Sequence, residues 1–275
     1  MFDRNSYSKL PIPIEAELKT LFSSTEAITI FEIGACEGED SIKYSRLFKN
    51  ASIYAFEPLP QNIERAKKNI SDHQVKNVTI YNKALSLKPG TATFYVSDGR
   101  PETAPESDWD YGNKSSSLLQ PDKHNEMAPF ITFDKKIEVE TITLQDFCSE
   151  QHIKSINYIH MDVQGAEMMV LHGAGDYISA IKAIWIEVSN VHLYKDQPLA
   201  KDIDSFLTKN NFVLTKDCLE GMQGDRLYIS KTFYPHYEDL IQRQIHNPPI
   251  ASTAYLNGLR RLKENWLAAL QKPAN

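Results

Sequence analysis

A doubly wound α/β fold, with a mostly parallel sheet between layers of helices, is the architecture this sequence predicts. Three observations carry it. The stretch Ile28-Thr-Ile-Phe-Glu-Ile-Gly-Ala-Cys-Glu-Gly38 reads as a buried strand, a tight glycine turn and the start of a helix. A second apolar strand, Ser52-Ile-Tyr-Ala-Phe56, ends in Glu57, roughly twenty residues past the turn, where doubly wound folds place a carboxylate for ribose hydroxyls. Short β-rich runs then alternate with helical periods and finish in a closing pair of strands, which fits seven strands in one sheet.

The elements follow in order. Residues 1–13 form an arm, and Ile14, Leu18, Leu21 and Phe22 at helical spacing predict a short packing helix ahead of the first strand. After the glycine turn, Ile42, Leu47 and Phe48 mark the packed face of the first core helix. Pro60 opens the next helix, as a first-turn proline should, with Ile63, Ala66 and Ile70 on its covered face. Val78-Thr-Ile-Tyr81 is the third strand. The alternating runs Thr91-Ala-Thr-Phe-Tyr-Val96 and Lys136-Ile-Glu-Val-Glu140 are predicted to pair as an inserted β-hairpin.

Between them, residues 97–129 are rich in Ser, Asp, Pro and Gly. A loop this long inside a domain is either functional or without fixed structure. Its Asn113-Lys-Ser-Ser-Ser-Leu-Leu119 stretch, and Trp109 and Tyr111, are candidates for contacts with a cofactor or a sugar, or for anchoring the loop to the body. Thr143 is placed to cap a short helix. Ile156-Asn-Tyr-Ile-His-Met161 is the fourth core strand, followed by the Asp162-Val-Gln-Gly165 turn. The near-continuous apolar run 180–188 is a strand buried on both faces. A helix over 199–209 and strands at 212–214 and 226–229 close the sheet. Leu259, Leu262, Trp266, Leu267 and Leu270 form a terminal helical stripe suited to packing on the body or on a second copy. The predicted organisation is an arm and helix over 1–24, a main domain over 25–232 with an insert at 90–142, and a helical extension over 233–275.

The glycine turn separates two cofactor classes. A dinucleotide site wants G-x-G-x-x-G, with its helix N-terminus aimed at a pyrophosphate. Here Cys36 takes the place of the second glycine, and Glu32 and Glu37 flank the loop. Carboxylates there repel a pyrophosphate and suit a cation. S-adenosyl-L-methionine carries a sulfonium, an ammonium and a ribose, and no phosphate.

Phe31-Glu-Ile-Gly-Ala-Cys-Glu-Gly38, Tyr54-Ala-Phe-Glu-Pro58 and His160-Met-Asp-Val-Gln-Gly-Ala-Glu167 together resemble the FkbM family of class I methyltransferases, from about residue 28 to about residue 230. The resemblance implies a Rossmann-like seven-stranded fold, S-adenosyl-L-methionine as cofactor, and methylation of an oxygen on a sugar or another small molecule. The family pattern reads Asp-x-Glu-Gly where this chain has Gln164, so the rim loses one negative charge.

Strand ends then collect the candidate site on one rim. Glu32, Gly34, Ala35 and Gly38 are expected at the methionyl part of the cofactor, and Glu57 and Pro58 at the ribose. The usual acid for the adenine amino group is absent after the third strand, which leaves the backbone of Lys83 and Ala84. Asp162, Glu187 and His192 are candidates for the base that takes the acceptor's proton, with His160 on the same strand face as Asp162. Asp162 is the first choice, and its alternative role is to hold the Gly165 turn. No metal is expected, although Asp162 and Glu187 are oxygen ligands suited to Mg²⁺.

The totals bound the rest. The 275 residues, 41% hydrophobic, suffice for one large core, and a net charge of −6 argues against a nucleic-acid partner. Cys36, Cys148 and Cys218 lack metal spacing and are expected as free thiols. With no secretory leader or membrane span visible, the expectation is a cytoplasmic enzyme acting on a small molecule, with a homo-oligomer open. Two rivals remain at this point: a cofactor-binding protein without turnover, and a nicotinamide-linked oxidoreductase.

Overall fold

In a computed structural model, residues 7–100 and 112–233 are described. Trp109, Tyr111 and the stripe from Leu259 to Leu270 lie outside them. The elements are α1 (Glu15–Leu21), β1 (Thr29–Ile33), α2 (Glu39–Leu47), β2 (Ser52–Phe56), α3 (Pro60–Asp72), β3 (Val78–Tyr81), β4 (Ala84–Leu85) and β5 (Gly90–Asp98). Then come α4 (His124–Met127), β6 (Thr132–Ile142), α5 (Leu144–Glu150), β7 (Ile156–Met161), α6 (Glu167–Gly173), β8 (Ile181–Ser189), α7 (Ala200–Lys209), β9 (Phe212–Asp217) and β10 (Gln223–Ser230).

Seven strands form one sheet in the order β3-β2-β1-β7-β8-β10-β9. Strands β3 through β8 run parallel, and β10 is antiparallel to both β8 and β9. The chain steps outward from β1 to β3, then returns to β7 on the other side of β1. The crevice at such a reversal is where doubly wound sheets bind ligands.

Alternation along the strands feeds two core layers. Ile30 of β1 faces a layer with Leu18, Phe22, Tyr44 and Phe48 from α1 and α2, whereas Phe31 and Ile33 face a layer with Phe147, Val170 and Leu207 from α5, α6 and α7. Ile14, Leu18, Leu21 and Phe22 are all buried, so α1 is the packing helix its spacing predicts.

The insert is a second sheet, β4-β6-β5. The β5–β6 hairpin pairs Thr91 with Glu140 and Tyr95 with Lys136, as the two alternating runs predict. The segment after β3 reads in the sequence as a plain turn. In the structure Ala84 and Leu85 pair with Thr141 and Ile142, which tethers the insert to the rim. Thr143 caps α5, its hydroxyl accepting from the Asp146 amide at 2.9 Å.

One ring organises the lower layer. Phe147 packs edge-on against Phe56 and Tyr81, with centroids at 4.7 and 4.8 Å, and against Phe31 and Tyr54 at 5.7 and 5.8 Å. It thereby joins β1, β2 and β3 beneath the rim. Phe147→Ala should cost about 3–5 kcal/mol of stability, read as a lowered midpoint in urea unfolding. A loss below ~1 kcal/mol would show that the four-ring contact is not the keystone of this layer.

Candidate active site

The strand ends open into a cleft of about 990 Å³ of atom-free space, its mouth included. Its floor begins at the glycine turn. Gly34 has φ 91°, and a Cβ there would lie 1.8 Å from the backbone oxygen of Asp162, so only glycine lets β1 and β7 meet at the rim. Asp162 N donates to Ile33 O at 2.9 Å, and the amides of Gly34 and Ala35 donate to Phe56 O at 3.0 and 2.9 Å. Cys36 also takes a left-handed φ of 47°, which turns its amide toward Glu57.

Glu57 is buried, and its two oxygens accept from Cys36 N at 2.9 Å and Leu59 N at 2.8 Å. Burial pushes its pKa up to about 7, partly offset by those amides and by Asn62. Asn82 fixes the strand end by donating to the carbonyls of Glu57 and Pro58 at 3.1 and 2.9 Å. Pro58, Lys83 and Ala84 complete this side of the cleft.

Glu32, Ala35, His160 and Asp162 also line the cleft. Burial, then the charge of Asp40, holds the Glu32 carboxyl well above the usual range. Of the sequence-predicted cofactor residues, Gly38 alone is not in the lining. It is the N-cap of α2, at φ 79° and pressed against Ala66.

The proposed bases are distributed differently from the sequence expectation. Asp162 lines the cleft, and its Oδ1 accepts from Gln164 Nε2 at 2.7 Å. Glu187 lies behind it, joined through the same amide at 3.0 Å. Burial and the Asp162 charge raise the Glu187 carboxyl well above its usual range. His192 is exposed and absent from the cleft lining, with its Nδ1 within 2.9 Å of Gln197 O in its own loop.

The backbone of the Gly165 turn is held by Glu167, whereas Asp162 holds only the Gln164 side chain of that turn. Glu167 Oε1 accepts from Val163 N and Gly165 N at 3.2 and 3.1 Å, and burial lifts its pKa to about 7. Gln164 is the hub that sequence reasoning read only as a missing charge. Its Oε1 accepts from Tyr194 Oη at 3.2 Å, and its backbone oxygen accepts from Ser117 of the insert at 2.7 Å.

The lining also suits a nucleoside with a cationic amino-acid tail. Asn62 Oδ1, Asn113 Oδ1 and His160 Nδ1 are buried atoms on cleft-lining residues with no hydrogen-bond partner among the described residues. Such atoms call for a polar ligand. A buried carboxylate fixed by two amides keeps lone pairs for a diol.

Fold and cleft together define a Rossmann-like methyltransferase. Residues 32–214 match the family model described as the methyltransferase FkbM domain, and the chain belongs to that family. It is 30% identical over 217 residues to a 2-O-methyltransferase, NoeI, of Sinorhizobium fredii, covering 78% of this chain and 84% of that protein. It is 27% identical over 160 residues to methyltransferase 1 of Beauveria bassiana, covering 54% and 58%. Among solved structures, TrmK of M. capricolum, in complex with S-adenosyl-homocysteine, aligns at TM-score 0.43 and 8% identity, over 94% of this chain and 100% of that one. The cofactor is S-adenosyl-L-methionine, as the family dictates. Membership in a methyltransferase family sets the nicotinamide reading aside.

A carboxylate with a pKa near 7 makes cofactor binding pH-dependent. The ionised form accepts two hydroxyl protons and the protonated form accepts fewer, so affinity rises as pH climbs through the Glu57 pKa. Calorimetry with S-adenosylhomocysteine should show tighter binding at about pH 8 than at about pH 6. Glu57→Gln should flatten that slope and weaken binding by about 1–3 kcal/mol. An unchanged slope in the variant would remove Glu57 from the ribose site.

Proposed function

We propose that this protein is an O-methyltransferase acting on a hydroxyl of a sugar or another small molecule, with Asp162 as general base. The observation that carries this reading is the placement of Asp162: a carboxylate in the lining of the cleft that Glu57 also lines, with one oxygen fixed by Gln164. The name of the 30% identical 2-O-methyltransferase supports an oxygen acceptor. No helix among the described residues is long and apolar enough to cross a membrane.

When bound, S-adenosyl-L-methionine supplies a methyl group on a sulfonium. Glu32, Gly34, Ala35, Pro58, Lys83 and Ala84 would hold it, with Glu57 on the ribose diol. A hydroxyl is a poor nucleophile while it keeps its proton. Asp162 would take that proton as the oxygen–methyl bond forms and the sulfur–methyl bond breaks, leaving a neutral thioether, and would release it to solvent afterwards. Gln164 fixes the carboxylate's orientation, and Glu187, held by the same amide, is not part of the cleft lining.

Asp162→Asn should lower turnover by ~10²–10⁴ while leaving S-adenosylhomocysteine affinity within a few-fold, measured by product mass spectrometry and calorimetry. Turnover at the wild-type rate would end the candidacy of Asp162 and return the role to His160. The reaction as proposed uses no metal, so dialysis against a chelator should leave turnover unchanged. Activity lost on dialysis and restored by Mg²⁺ would overturn that part.

A further inference from the structure

A second cavity adjoins the cofactor cleft. It holds about 740 Å³ of atom-free space, its mouth included, between the start of α3 and the insert strands β5 and β6. That falls within the roughly 300–1,000 Å³ of small-ligand sites. Asn62 of α3 and Asn113 of the insert line both cavities, so the two meet at these side chains. Neither Glu57 nor Asp162 lines the second one. A ligand there is next to the cofactor cleft but away from the base.

The two asparagines are only half used. Asn62 is 3% exposed and Asn113 8%. The Asn62 side chain shares a hydrogen bond with Glu57, and Asn113 Nδ2 stands 3.5 Å from Glu37 Oε1. Their Oδ1 atoms are buried with no hydrogen-bond partner among the described residues. Two such acceptors at one partition call for a ligand that donates.

Charge narrows the class. Arg65 and Lys135 line the cavity together with Asp98 and Asp134, two of each sign. Arg65 Nη1 is already 2.8 Å from Glu37 Oε1, and Asp98 Oδ1 accepts from Gly99 N at 2.7 Å. A phosphate would be set against two carboxylates, and an ammonium against two cations. Neutral hydroxyls suit both signs, because each can donate to an oxygen and accept from a cation. Leu59 and Val96 add an apolar wall for the C–H face of a ring.

We propose that this cavity is a sugar-binding subsite, which holds a neutral unit of a glycosidic acceptor other than the unit that is methylated. This inference rests on the reading of the protein as an O-methyltransferase.

The test uses the full chain saturated with S-adenosylhomocysteine, and a panel of neutral disaccharides built from hexoses, deoxyhexoses and N-acetylhexosamines. Glucosamine and glucose 6-phosphate serve as charged probes. Saturation-transfer NMR should show at least one neutral disaccharide bound at about 20 mM or below. Thr132 is exposed at the start of β6 and lines only this cavity of the two. Thr132→Trp fills the mouth and should weaken that sugar at least about fivefold, with S-adenosylhomocysteine affinity unchanged in calorimetry. Asn113→Leu, which removes one unpartnered oxygen, should weaken the sugar several-fold. No binding across the panel, equal binding in Thr132→Trp and wild type, or a preference for either charged probe would overturn the inference and spare the methyltransferase reading. A sugar held as expected by a chain that takes up no S-adenosylhomocysteine would overturn the proposed function and leave the subsite standing.

Discussion

The contact between Gly34 and the backbone oxygen of Asp162 sets the geometry of the rim. With no Cβ at residue 34, the ends of β1 and β7 come together where the sheet order reverses. The Asp162 amide bonds back to Ile33, and Gly34 and Ala35 bond across to Phe56. Three neighbouring strands therefore end in one hydrogen-bonded strip. Glu32, Glu57 and Asp162 are delivered to a common cleft by that strip rather than by contacts with each other.

The cleft and the turn behind it concentrate acid in a place water reaches poorly. Glu32, Glu57, Glu167 and Glu187 all sit above the ordinary carboxylate range, with burial as the leading cause each time. Burying a lone anion is costly, and the chain offsets that cost locally. Glu57 and Glu167 are each held by two backbone amides from adjoining turns, and Glu32 by the Ser41 hydroxyl. A cationic ligand entering such a site gains from charge already desolvated and already aimed.

Much of this was legible in the sequence because it is local. The glycine turn, the carboxylate closing β2, the Thr143 cap and the alternating hairpin strands each announce themselves within about ten residues. The rest depends on long-range approach. Gln164 read as a lost charge because its partners, Glu187, Tyr194 and Ser117, arrive from three other segments. Glu167 stands five residues past Asp162 in the sequence, yet its amide partners meet it only once Gln164 and Gly165 adopt φ of 54° and 94°. His192 looked functional because it sits in a rim loop, but the loop folds back on itself through Gln197, whose Oε1 accepts from the amides of Leu193 and Tyr194. Period and spacing carry no information on which way such a loop closes.

Gln164 also explains how Asp162 and Glu187 stand so close. Ligand atoms of Asp162, Glu167 and Glu187 fall within 4.8 Å of one another, and a glutamate at 164 would bring a further negative charge against them. Like charges at that spacing force one group to keep its proton or demand a cation. The neutral amide instead donates one N–H to each of Asp162 and Glu187 and accepts from Tyr194 on its other side. It supplies part of what a cation would supply, and it ties the β7–α6 turn, the β8–α7 loop and the insert together. Gln164, which reads in the sequence as one charge fewer, is thus the residue that joins these three segments beside the cleft.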